Sequence, residues 1–340
     1  MKTIKQSFKI IPQDKGLEGI YKQVELGGKV CYQSTHTITE NSAEKFVKDV
    51  LIKNGHGRPL EHGTVYLKIP FISDNYGKSY WGKSSYYAIL PDPKQKFNID
   101  SKNAIKAANY FYNKYSKCYI ESTYKRCRII PKTTKIDTNL YYLEGDDYEY
   151  SDEVLHWEHI AYITTNMRVL VENEWLDDLK YLCEPTEYHE KRVTVNVVCD
   201  RQIQTEIKTH TTLSSTFEST RFCNYNKDKF GNELTFIESD NFPNIEILHS
   251  PAYDNTWEVL MSAYEEAEAY YMTLIEAGVK PQFAAKVLPF GIKGEGYITG
   301  FISDWIHFFN MRTPINAHPD IQNLANGIKE KFIKLGYINN

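Results

Sequence analysis

The sequence predicts an α+β fold, in which strands and helices occupy different parts of the chain. Residues 65–69 and 193–199 alternate apolar and polar side chains, the period of a half-buried strand. The last third instead repeats apolar residues every three or four positions, the period of a helix. This order favours α+β over a doubly wound fold, and no glycine-rich Gly-x-Gly-x-x-Gly turn follows a strand to hold a dinucleotide.

The first helix is predicted at residues 43–54, and Gly55 ends it as a C-cap. Its apolar stripe consists of Phe46, Val47, Val50 and Leu51. Residues 71–190 are less regular. They predict a helix near 101–117, an acidic tyrosine-rich loop at 140–153, and a helix or strand near 158–173.

The last third predicts a long amphipathic helix from about Trp257 to Ile275, capped by Gly278. A short helix starts at Pro281 and stops before Pro289. Another apolar stripe runs from 297 to 312 and includes Phe301, Ile302, Trp305, Phe308 and Phe309. A final helix at about 317–335 directs Ile321, Leu324, Ala325, Ile328, Phe332 and Leu335 inward.

Composition excludes some classes of protein. The chain has 340 residues and a net charge of −4, whereas a general nucleic-acid binder is normally basic. Its six cysteines form no Cys-x-x-Cys pair, which indicates free thiols in a reducing compartment. No leader or membrane-length apolar run is apparent. We therefore expect a soluble, cytoplasmic protein.

The segment from Thr209 to Thr220 is the most informative part of the chain. Eight of its twelve residues carry a hydroxyl, His210 lies near its start and Arg221 follows it. Hydroxyls and a guanidinium are suited to phosphate oxygens, although a solvated loop explains the hydroxyls equally well. Ser219 has no local general base, so we assign it hydrogen bonding rather than nucleophilic attack.

Two further positions are candidates for a site. His62 follows Glu61 just before a strand, and this pair is either part of a cleft or a surface turn. Arg312 continues the apolar stripe of its helix, so it should meet a buried carboxylate, an anion or water. Metal binding is not predicted, because the histidines and cysteines lack ligand spacing.

Four blocks of sequence, in order, resemble the flavin-dependent thymidylate synthase family, ThyX. They are GHGRPLEH at 55–62, the Thr209–Phe222 segment, Ala284–Pro289, and FFNMRTPINAH at 308–318. The second block ends in Ser219, Thr220, Arg221 and Phe222, similar to the Ser-x-Arg-Tyr end of the family signature. The resemblance implies a single ThyX-like domain over 1–340, with an antiparallel-rich central sheet and residues 71–190 as an insertion.

The resemblance also implies a reaction and a site. Such enzymes methylate dUMP to dTMP with methylenetetrahydrofolate, FAD and NADPH, as homotetramers. Substrate-binding positions correspond to Glu206, Ser219, Arg221 and Arg312. Positions near flavin or folate correspond to His62, Thr64, His210 and His307. No residue is assigned as a protein acid or base, because the cofactors carry the chemistry.

This chain departs from the family pattern at three cations. Thr209 and Thr211 stand where the signature has arginines, and Ala285 replaces a third. Lys208, Lys286 or Arg201 could compensate. Two alternatives therefore stay open: a non-catalytic nucleotide-binding or scaffold relative, and a related pyrimidine nucleotide hydroxymethylase.

Overall fold

The computed structural model describes residues 1–75, 86–89, 128–133, 155–187 and 189–339. Its strands are β1 Lys2–Lys5, β2 Ser7–Ile11, β3 Thr64–Asn75, β4 Tyr86–Ile89, β5 Arg128–Thr133, β6 Leu155–Asn166, β7 Arg192–Asp200, β8 Ser214–Phe217, β9 Thr235–Glu238 and β10 Lys293–Phe301. Its α-helices are α1 Gly16–Lys29, α2 Ser42–Lys45, α3 Gly57–Leu60, α4 Met167–Glu172, α5 Arg201–Lys208, α6 Thr256–Glu276, α7 Pro281–Ala284, α8 Ile302–Arg312 and α9 Pro319–Lys334. The helix predicted near 101–117 and the loop at 140–153 lie outside the described residues.

The chain divides into two compact units. One consists of Met1–Gly63 and Arg192–Asn340, and the other of Thr64–Lys191. The single domain and the insertion at 71–190 stay predictions. Within the described ranges, no helix is both long and apolar enough to cross a bilayer.

The first unit is built on an antiparallel sheet of strand order β2-β7-β10-β8, beside a parallel pair of β1 and β9. In the register of the sheet, Val195 lies between Ile10 and Ile298. Strand β7 confirms the strand predicted at 193–199. Antiparallel sheets with helices elsewhere in the chain confirm the α+β class.

The apolar face of this sheet holds the main core of the unit. Val193, Val195, Val197 and Cys199 of β7 are buried together with side chains of α5, α8 and α9. Trp305 is fully buried, and its indole Nε1 donates to the carbonyl of Val193 at 3.1 Å. Burying one large apolar side chain contributes roughly 1.5–3 kcal/mol, so this face anchors the C-terminal helices and hence the position of Arg312.

The second unit contains an antiparallel sheet of strand order β4-β3-β6-β5. Strand β3 confirms the strand predicted at 65–69. The segment predicted as helix or strand near 158–173 is both, because β6 ends at Asn166 and α4 begins directly after it. The Asn166 side chain accepts a hydrogen bond from the Val169 N–H at 3.2 Å and so caps that helix.

Three details of the predicted apolar stripes are wrong. Val50 is 41% exposed, because Phe46–Ile52 form a π-helix whose wider turn rotates position 50 outward. Residues 297–301 belong to β10 rather than to a helix, since Tyr297 pairs with Asn196 of β7. Leu335 is 44% exposed because α9 ends at Lys334, just before Gly336 at φ +68.

The other predicted helices of the last third are confirmed. Helix α6 spans Thr256–Glu276, and Gly278 after it adopts φ +85, a conformation that favours glycine. Pro281 opens α7, as the missing N–H of proline permits at a first helical turn. Helix α9 buries Ile321 and the inward residues that follow it, through Phe332.

Candidate functional site

Arg312, the last residue of α8, lies against the C-terminal end of α5. Its Nη1 donates to Glu206 Oε2 at 2.7 Å, and its Nε donates to His210 Nε2 at 2.8 Å. Its Nη2 reaches the Glu206 carbonyl at 3.3 Å and Thr209 Oγ1 at 3.1 Å. Carbonyl groups at a helix C-terminus attract cations. The prediction that Arg312 meets a partner is confirmed, and that partner is a carboxylate.

His210 is neutral at this site and its tautomer follows from its contacts. Because Nε2 accepts from Arg312, the proton of the neutral ring lies on Nδ1. Burial, followed by the charge of Arg312 and of His307, lowers the pKa of His210 to about 4. The two imidazole rings are 6.1 Å apart between centroids. His307 is exposed, so it can contact a ligand from the surface side of the cluster.

Ser219 and Arg221 form a second cluster with the turn that follows α1. The Ser219 N–H donates to the Cys31 carbonyl at 3.1 Å, and Ser219 Oγ accepts from the Arg221 N–H at 3.3 Å. The Arg221 guanidinium lies 5.2 Å from the Phe222 ring centroid. Phe222 packs on Tyr32 with centroids 4.6 Å apart. Exposed aromatic rings beside a guanidinium can stack on a base while the cation holds an anion.

His62 lies inside the polar face of the first unit's sheet. It is fully buried. Its Nδ1 lies 2.8 Å from Thr299 Oγ1, and its Nε2 lies 2.9 Å from Thr216 Oγ1. Thr299 is in turn 2.7 Å from Thr194 Oγ1. A Cβ on Gly27 of α1 would lie 2.3 Å from the imidazole ring, so only glycine allows this close approach.

Burial is the main electrostatic influence on His62. It lowers the pKa of the ring to about 3, with smaller contributions from the charges of Arg192 and Arg58. Both ring nitrogens are already engaged, so direct contact with a ligand requires the threonine contacts to open. His62 is therefore a satisfied buried histidine rather than a residue of a surface turn. Thr64, the first residue of β3, is also buried.

The contacts join only some of the predicted site residues. One cluster contains Glu206, His210, His307 and Arg312. A second contains Ser219 and Arg221. His62 belongs to the buried threonine network, and Thr64 belongs to the second unit. Residues from three of the sequence blocks are thus distributed over separate clusters. The order of the blocks along the chain does not predict this grouping.

A buried acid–base network was missed by the sequence analysis. Lys293 Nζ lies 2.9 Å from Glu218 Oε2 and 3.6 Å from Glu295 Oε2. Tyr225 donates its hydroxyl to Glu218 Oε1 at 2.8 Å. Burial, then the charge of Glu218, raises the pKa of Tyr225 well above its ordinary value. The alternation of charged residues with glycine in β10 was the available signal.

No metal site is found among the described residues, where no group of three or more histidine, cysteine or acidic side chains is arranged to hold an ion. Cys31, Cys183, Cys199 and Cys223 are free thiols, as predicted for those four. Burial raises the pKa of Cys183 to about 11, and this thiol is therefore protonated near neutral pH.

Similarity to a known family covers residues 184–335. They match the family model described as thymidylate synthase complementing protein, Thy1. The matched segment contains the last three of the four sequence blocks. It also contains the predicted site residues of both side-chain clusters. This part of the chain is therefore similar to that family, in agreement with the resemblance of the sequence blocks.

Particular relatives cover smaller parts. The probable flavin-dependent thymidylate synthase of Paramecium bursaria Chlorella virus 1 is 33% identical over 86 residues, which are 25% of this chain and 40% of that protein. The chain therefore spans well under half the length of this curated relative. Two crystal structures of the UMP/dUMP methylase PolB from Streptomyces cacaoi, bound with 5-Br UMP and 5-Br dUMP, are also similar. Each is 21% identical with a TM-score of 0.35, covering 42% of this chain and 69% or 67% of the other.

Proposed function

We propose that this protein is a flavin-dependent thymidylate synthase that methylates dUMP to dTMP, with methylenetetrahydrofolate as carbon donor and NADPH as reductant. The observation that carries the proposal is the Arg312 cluster within the family-matched segment. Side chains from two separate motif blocks meet there, although about a hundred residues lie between them in sequence. Contact between residues of two blocks that are far apart in sequence supports a site rather than scattered similarity.

Each cluster has a distinct role in the proposal. Arg312 and Glu206 present a donor and an acceptor side by side, which suits the alternating polar edge of a pyrimidine. Ser219 and Arg221 supply a hydroxyl and an exposed guanidinium for the nucleotide phosphate. Neutral His210 keeps the Arg312 guanidinium in place without adding a charge that repels it.

Some of the predicted cofactor-binding residues are placed where they could contact a flavin ring, and others are buried. His210 and His307 form a ring pair at one cluster, and Phe222 with Tyr32 forms an aromatic surface at the other. His62 and Thr64 are buried, so their proposed influence on FAD or folate is indirect. Bound flavin would supply hydride chemistry, while the protein orients the nucleotide and stabilises negative charge.

A homotetramer is part of the proposal. In an active site shared between subunits, the Arg312 cluster of one subunit and the Ser219–Arg221 cluster of its neighbour would contact the same ligand. Light scattering coupled to size-exclusion chromatography measures the assembly. A monomer that binds dUMP with full affinity would contradict sharing.

An absorption spectrum and a product assay test the function directly. Purified protein should carry yellow FAD and, with NADPH and methylenetetrahydrofolate, convert dUMP to dTMP. Protein that binds nucleotide but neither flavin nor folate is instead the non-catalytic relative. A product one oxygen heavier than dTMP identifies the hydroxymethylase. Protein that binds none of these ligands refutes the proposed function.

A further inference from the structure

Two cations lie along β8, the last strand of the sheet in the described part of the first unit. Arg58 Nε donates to the Ser215 carbonyl at 3.2 Å. Lys208 Nζ lies 5.1 Å from the centroid of the Phe217 ring. Ser215 and Phe217 are alternate residues of one strand, so the two cations are neighbours along it.

These cations differ from Lys293 and Arg312, two basic residues of the same unit that are neutralised. Lys293 pairs with Glu218 at 2.9 Å, and Arg312 pairs with Glu206 at 2.7 Å. Over the described residues, no carboxylate lies within ion-pair distance of Arg58 or Lys208.

Lys208 is also close to other positive charges. Its pKa is lowered, first by partial burial and then by the charges of Arg201 and Arg58. Arg201 lies two helical turns earlier on α5, on the same face as Lys208. Cations that repel one another without a counterion are stabilised by a bound anion.

Two buried polar atoms, one on the helix of Lys208 and one on β8, lack protein partners. Gln204 Oε1 accepts from Lys208 Nζ at 3.4 Å, whereas Gln204 Nε2 is buried without a hydrogen-bond partner. Ser215 Oγ is likewise buried and unpartnered. Both residues are more than nine-tenths buried, at 5% and 7% exposure. Buried polar atoms are seldom left unsatisfied, and a bound ion or water is one explanation for an unpaired one.

Positions that the family signature gives to cations are neutral here. Thr209 has replaced one arginine, and its hydroxyl accepts from Arg312 instead of leaving a free charge. Lys208 immediately precedes it in the chain. A positive charge is therefore still available at the end of α5, displaced by one residue.

We propose that Arg58 and Lys208 form a further phosphate-binding site, besides Ser219 and Arg221, and take over the role of the missing cations at 209, 211 and 285. The ligand is a phosphate group, carried either by the nucleotide substrate or by the flavin cofactor. The choice of these two natural ligands rests on the proposed function. The binding of a phosphate group by Arg58 and Lys208 does not.

Inorganic pyrophosphate is the direct probe, titrated calorimetrically into the full chain at low ionic strength. The variants are Arg58→Gln and Lys208→Met, which keep most of the side-chain volume. Each should bind pyrophosphate about 10-fold more weakly, the low end for a charge-assisted contact because both side chains are exposed. Lys48→Met is the matched control. Lys48 is an exposed lysine away from β8 that already pairs with Glu44, so this variant should bind pyrophosphate as the wild type does.

Lys208→Arg provides a second test, which can be used even if the Lys208→Met variant does not fold. It retains the charge and should retain binding. Wild-type protein that does not bind pyrophosphate, or folded variants that bind it as tightly as wild type, would overturn the proposal.

Parallel titrations with dUMP and FAD identify the natural source of the phosphate. Loss of dUMP affinity in both variants assigns the site to the nucleotide, and loss of FAD affinity assigns it to the flavin. If neither affinity changes, the site does not serve this enzyme and the proposal fails. Pyrophosphate binding that depends on Lys208 in a protein without flavin or dTMP formation would refute only the proposed function.

Discussion

Acidification should destabilise this protein through His62. The ring is fully buried between threonine hydroxyls, and burial lowers its pKa to about 3. In the unfolded chain the same group titrates at its ordinary value of 6.5. Below pH 6.5 the unfolded state therefore binds a proton that the folded state does not. Stability is lost as the pH falls from 6.5 towards 3.

The expected loss at pH 5 follows from that difference. The pH lies about 1.5 units below the unfolded value and above the folded one, and each unit corresponds to about 1.36 kcal/mol. His62 alone should therefore remove about 2 kcal/mol of unfolding free energy between pH 7 and pH 5. His210, with its pKa lowered to about 4, acts in the same direction.

Urea unfolding followed by circular dichroism at pH 7 and pH 5 measures this loss. His62→Gln should be less stable at pH 7, but its stability should fall by about 2 kcal/mol less than that of wild type on acidification. The matched control is His36→Gln, which removes an exposed histidine outside the threonine network and should not reduce the loss. Equal pH dependence in His62→Gln and wild type would refute the reasoning, as would an NMR titration showing His62 protonated in the folded state at pH 5.

Three further predictions test other parts of the structure. Arg312→Ala should weaken dUMP binding about 10-fold or more while lowering the melting temperature only modestly; if it unfolds the protein, this arginine is structural. Gly27→Ala should cost about 1–3 kcal/mol in chemical denaturation because its Cβ enters the buried imidazole ring. Gly327→Ala, whose Cβ meets only the edge of a phenylalanine ring at 2.8 Å, should cost less, and the reverse order would contradict the packing argument. Tyr225→Phe should cost about 1–3 kcal/mol by removing the hydroxyl donor to buried Glu218, and an unchanged denaturation midpoint would show that this bond is not stabilising.

Much of the fold was available from local patterns. The alternation in β7, the cap at Gly278 and the proline that opens α7 act over a few residues, so the sequence predicts them directly. Arg312 was identified by its helical phase as well as by the family resemblance. The start of α8 was not predictable in this way, because Tyr297 to Phe301 are apolar enough for either period and pairing with β7 decides between them.

By itself, the sequence determined the α+β class and the family resemblance, and it predicted a set of candidate residues for a nucleotide site. Only the tertiary structure decided how those residues are grouped. It paired Arg312 with Glu206, buried His62 under Gly27, and left Arg58 and Lys208 without counterions along one strand. The physical reason is that charge neutralisation and burial depend on distances between residues far apart in the chain, and no local periodicity encodes those distances.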